Sequence, residues 1–112
     1  MSTQYVVYLQ PSLAKGKKYT AVVFRAGRKL KTIHFGSAGM SDYTINKDPE
    51  RMSRYINRHK ARENWDISGI MTAGFWSRWL LWSESSLSAA ISGIAQKFNI
   101  KVIQAPPPAS KI

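Results

Sequence analysis

Residues 51 to 65 of this chain read RMSRYINRHKARENW, and seven of the fifteen are Arg, Lys, His or Trp. Arg51, Arg54, Arg58 and Arg62 recur at helical intervals, which on a helix places them within about 80° of one another. Guanidinium forks take phosphate oxygens two at a time, so such a row can follow a phosphate ridge. Met52, Tyr55, Ile56 and His59 gather on the neighbouring face and predict an apolar packing stripe beside the arginine ridge. The competing expectation for the same arginines is a solvated helix face, the ordinary use of charge on a helix. Lys15, Lys17 and Lys18, before a predicted strand pair, and Arg25, Arg28, Lys29 and Lys31 around its turn would extend the basic surface.

The whole chain supports a polyanionic partner. Seventeen Lys and Arg against six Asp and Glu give a net charge of +11 and a pI near 10.3. Most of that excess lies between residues 15 and 62, and the remainder of the chain is close to neutral. Charge of this kind draws nucleic acid, acidic lipid surfaces or acidic proteins, and it also serves solubility.

Enzymatic constellations are sparse. General acid–base work needs two carboxylates, or a carboxylate and a His, brought together. The six acids stand mostly beside arginines or at a helix start, where capping and charge pairing account for them. His34 falls in a predicted strand and His59 on the apolar side of the basic helix, so both read first as structural. With no cysteine and two histidines, neither a thiol nucleophile nor a zinc site is expected. Gly36 and Gly39 do not stand between a strand and a helix in the register of a phosphate loop. The expectation is a protein that is not an enzyme and that takes no metal, cofactor or small-molecule substrate.

Four tryptophans are the other unusual feature. Trp76, Trp79 and Leu80 share one helical face, and Phe75 and Trp82 point elsewhere. Some of these rings must fill the core. A surplus over what one small core holds predicts a protein interface built from Phe75, Trp76, Trp79 and Trp82, since interfaces enrich aromatic residues and arginine.

The elements that must position these residues follow from the local pattern. The 112 residues, 44% of them apolar, suit one domain with a modest core. Gln4 to Gln10 reads as a strand. Lys18 to Arg25 and Lys29 to Phe35 read as a β-hairpin across AGR. A loop of about a dozen residues follows from Gly36. Asp48, Pro49 and Glu50 open the basic helix as cap, first residue and dipole partner. FWSRWLLW and SESSLSAAISGIAQKFN predict two more helices, and IKVIQ a closing strand. The sum is an α+β domain over residues 1–104, with a small antiparallel sheet and about three helices on one face. APPPASKI, residues 105–112, reads as a polyproline-like tail. No stretch is long and apolar enough for a membrane span, and Met1 to Gln10 does not read as a secretory leader.

The segments KTIHFG, SDYT, DPERMSRYINRHKARENW and TAGFWSRWLLW, in this order, resemble a family of small uncharacterised basic proteins encoded by large double-stranded DNA viruses, including giant viruses of algae and amoebae. The similarity spans about Lys18 to Phe98. It implies a viral context, with a place in the virion or host-cell interior, and carries over no catalytic residue. Charge, aromatics and resemblance together predict a structural protein, a minor capsid or capsid-associated component bridging virion neighbours and an acidic surface. The alternative is a sequence-nonspecific protein that condenses viral double-stranded DNA through the arginine ridge and hairpin lysines.

Overall fold

The computed structural model describes residues 4–12 and 14–109. Leu13 of the first loop and Ser110, Lys111 and Ile112 of the proline-rich tail lie outside the described residues. Strand β1 is Tyr5–Pro11, β2 is Lys17–Arg25 and β3 is Arg28–Ser37. Both β2 and β3 run antiparallel to their predecessors, as the alternating aromatic and β-branched residues predict. The hairpin turn is the two residues Ala26 and Gly27, at φ 53° and 76°. Positive φ at both positions gives the backbone the twist that two-residue hairpins need.

The predicted dozen-residue loop is partly helical. Asp42 caps a single turn, α1 (Tyr43–Asn46), by accepting the Thr44 N–H at 2.9 Å. Helix α2 spans Pro49–His59, and the Asp48 carboxylate accepts the Glu50 and Arg51 N–H groups at 3.1 and 3.3 Å. A 3₁₀ turn, Ile67–Gly69, leads to α3 (Ala73–Trp76), which continues into a π-helical turn at Ser77–Leu81. Helix α4, Leu87–Phe98, starts on a Ser86 cap and ends at Asn99, in the left-handed region that closes helices. Among the described residues, no helix is long and apolar enough to cross a membrane.

The fold is α+β, and its sheet is mixed rather than wholly antiparallel. Strand order is β3-β2-β1-β4, where β4 (Lys101–Ile103) lies parallel to β1. The reason is path. After β3 the chain crosses the sheet face as helices and returns to the free edge of β1, and a long crossover of this kind permits parallel pairing.

Alternation along the strands divides the sheet into two faces. Val7, Leu9, Ala21, Val23, Ile33 and Phe35 meet Ile70, Phe75, Trp76, Leu80, Leu81, Ala90, Ile94 and Ile100 in the main core. The opposite face carries a smaller cluster of Tyr8, Val22 and Phe24, with Tyr8 and Phe24 edge-to-face at 5.4 Å. Phe75 and Trp76 are wholly buried, which corrects the expectation that they form an interface. The π-helical turn widens the helix after Trp76 so that the successive residues Leu80 and Leu81 are both buried.

Trp76→Ala is expected to cost about 3–5 kcal/mol, as for other fully buried aromatics. Trp79→Ala should cost clearly less, because Trp79 is half-buried. Urea denaturation of the two variants checks this. Equal losses would place Trp79 in the core as well.

Candidate functional site

A cleft of about 470 Å³ opens beside α2. One wall is α2, which presents Arg51, Arg54, Tyr55, Arg58 and His59. The opposite wall is the Lys17–Ser37 end of the hairpin, with Lys17 and Lys18, and the segment Met40 to Asp42. Gly36, Ala73, Gly74, Ser77, Leu81 and Trp82 complete the lining. Five cationic side chains thus face two carboxylates, Asp42 and Glu63.

Both carboxylates are committed. Asp42, 2% exposed, pairs with the Lys18 ammonium while accepting the backbone N–H and hydroxyl of Thr44. It also reaches Tyr19, whose phenol is held above its ordinary range by burial first and by the Asp42 charge second. Glu63 accepts the Trp65 indole N–H at 3.1 Å and lies 3.5 Å from His59 Nδ1. Gly74 permits this approach, since a Cβ there would fall 2.8 Å from the Glu63 carboxyl carbon. Gly36 is constrained twice over. Its φ is +77°, and a Cβ would meet Leu81 at 3.0 Å and Lys18 at 3.1 Å.

The remaining cations are uncommitted. Among the described residues, the side chains of Lys17, Arg51, Arg54 and Arg58 make no hydrogen bond or ion pair. The predicted stripe of Met52, Tyr55, Ile56 and His59 is half-buried, and α2 has no fully buried residue. Rings hold it in place. Tyr55 stacks on Trp82 at 4.7 Å and 7° and on His59 at 4.4 Å, with Trp65 at 6.4 Å. Arg78 supports Trp82 by donating from Nη1 to its carbonyl at 2.7 Å, and lies over Trp79 at 4.4 Å and Trp65 at 5.4 Å. Burial lowers the Arg78 pKa, and the nearby Tyr55 opposes that shift.

Several predicted site residues do not reach the cleft. Arg62 lies beyond the end of α2 at His59 and does not line it. The chain turns back there, which frees the Trp65 carbonyl to accept the Trp79 indole N–H at 2.9 Å. Arg28 and Lys29 pair with Arg25 and Phe24 at the far end of the hairpin. At about 3.3 Å per residue they stand roughly 26 Å from Lys17. Trp79 is covered by Arg78 and by Lys97 at 4.8 Å, so Trp82 alone of the four predicted interface aromatics faces the cleft. His34 lies on the opposite sheet face, 2.7 Å from the Thr20 hydroxyl.

Sequence reasoning missed Glu63, Gly74 and the Tyr55–Trp82 stack. Helical spacing marks Tyr55 as a packing residue, but no local pattern pairs it with a ring so distant in the chain. Among the described residues, no group of three His, Asp or Glu could hold a metal ion.

A model described as a family of unknown function (DUF5754) matches residues 7–59. That span takes in both basic walls, Lys17 and Lys18 and Arg51, Arg54 and Arg58, and stops short of Glu63, Gly74 and Trp82. Comparison with curated proteins and with solved structures gave no match.

The Tyr55 phenol is raised well above its ordinary range, by burial first and by the Glu63 charge second, with Arg78 acting the other way. The folded protein therefore holds this proton more tightly than the unfolded chain. Its contribution is complete below pH about 10, the ordinary phenol value, and is lost as pH rises from there. Tyr55→Phe has no such proton, so its urea midpoint should fall less steeply above pH about 10 than that of the wild type. Parallel pH profiles would refute the assignment.

Proposed function

We propose that this is a non-enzymatic protein that holds nucleic acid by its phosphates without reading base sequence. The observation that supports this reading is the convergence of Arg51, Arg54, Arg58 and Lys17, all without partners among the described residues, on one recess. Like charges crowd at a cost to the folded state, and a bound polyanion removes that cost. Arginine also suits phosphate better than lysine does, because its donors are planar and paired. The two carboxylates in the cleft are engaged, Asp42 as a helix cap and with the Lys18 ammonium, Glu63 with the Trp65 indole and beside His59, so neither stands free to act as a general base.

A second reading keeps the structural role in a virus particle that the sequence resemblance implies. Met40 is 61% exposed and Ile45 62%, beside the basic walls, and exposed apolar side chains of this size suit a protein neighbour. An acidic virion protein would then occupy the cleft. If so, Met40→Ser with Ile45→Ser should block incorporation into particles while nucleic-acid affinity survives.

The main reading is tested with mixed-sequence DNA, native and heat-denatured, titrated at several salt concentrations. Converting Arg51, Arg54 and Arg58 together to Gln should flatten the plot of log Kd against log salt by about 2 to 3. Arg62→Gln, and Arg28→Gln with Lys29→Gln, should change it far less. If the triple variant binds both forms as the wild type does, the cleft is not the phosphate site.

A further inference from the structure

We infer that the nucleic acid taken by this cleft is a single strand, with its phosphates along the α2 arginines and one unpaired base against Trp82. The inference rests on the nucleic-acid reading above and specifies the form of the ligand. Its first support is shape. A helix that reads duplex DNA enters the major groove, with its side chains projecting clear of the surrounding protein. Here the exposed arginine face of α2 borders a half-open recess that Lys17 and Lys18 also line. A duplex can touch the rim of such a recess. One strand can lie within it.

Spacing fits phosphate contact with either form. Arg51 to Arg58 spans about 10 Å along the helix axis at 1.5 Å per residue. At 3.4 Å of rise per nucleotide along one strand, that is about three phosphate steps.

The second support is aromatic. Trp82, half-buried in the cleft lining and packed in part against the core, stacks nearly parallel on Tyr55 and on no other ring among the described residues. A base would meet the part of the indole that the cleft leaves exposed. Only an unpaired base offers its face to a protein ring, and such stacking tolerates any base. Arginines and this ring together suit a ligand that alternates anionic phosphate with flat apolar surface. An acidic peptide lacks the second feature.

The test uses a fluorescent 12-nucleotide oligo(dT), a mixed-sequence duplex of the same length and a poly-glutamate peptide, all titrated by anisotropy in 0.1 M NaCl. The oligonucleotide should bind at least 10-fold tighter than the duplex and tighter than the peptide. Trp82→Ala should weaken oligonucleotide binding about 5- to 150-fold, the range for one lost base–aromatic stack, and weaken duplex binding by a clearly smaller factor, since the same ring also helps hold α2 through Tyr55. Trp82→Phe should recover much of the loss. Equal or tighter duplex binding would overturn the single-strand inference and leave the nucleic-acid reading standing. Binding of the peptide alone, or of none of the three, would overturn both. If Trp82→Ala does not fold, the wild-type ratio of single strand to duplex decides the question, since it needs no variant.

Discussion

The indole of Trp76 lies wholly out of water, with Phe75 at 5.3 Å and Phe35 of β3 at 6.2 Å, and its N–H donates to the Ile70 carbonyl at 2.8 Å. That contact locks α3 and its π-helical continuation onto the apolar face of the sheet, where burial of large rings and branched chains drives folding. The position of the surface features follows from it. Leu81 at the end of the turn fits against Gly36, and Trp82, next in the chain, is carried to the wall of the cleft. Were the turn to shift, the stacking partner of Tyr55 would be lost.

Helix α2 depends on that partner because it has little else. It contributes no fully buried residue and carries three arginines that no carboxylate offsets. Its local stability comes from the Asp48 cap, the proline at its first position and Glu50 near its positive end. Its docking comes from the Tyr55 stack on Trp82. The balance leaves a cationic helix held by its rings, with its guanidinium groups free to meet a ligand. Asp42 and Glu63 hold the opposite wall and the turn after α2 without cancelling those arginines, because each carboxylate is already satisfied by its own neighbours.

Much of this organisation was legible in local pattern. Alternation gave away the hairpin, and Asp48-Pro49-Glu50 marked the start of α2, because strands and caps are decided by residues a few positions apart. The arginines of α2 were legible as a cationic row on one helix face for the same reason. Arg62 was not separable from them, since nothing between His59 and Trp65 is a helix breaker. The helix ends there because Trp65 is needed by Trp79 and Tyr55, elements that spacing cannot see. An ideal helical wheel turns Phe75 away from the face of Trp76, whereas the short α3 is embedded enough to bury both.

By itself, the sequence determined the α+β class, the hairpin, the capped basic helix and a strongly positive net charge, all consequences of composition and short-range spacing. Tertiary structure alone decided which cations share a site. It brought Lys17 and Lys18 to face Arg51, Arg54 and Arg58 and left Arg28 and Lys29 at the far end of the hairpin. It also set β4 parallel to β1 and placed Trp82 on Tyr55. The physical reason is the same in each case. These relations are fixed by how the helical layer packs across one sheet face, and that packing is a property of side-chain volumes meeting from distant parts of the chain.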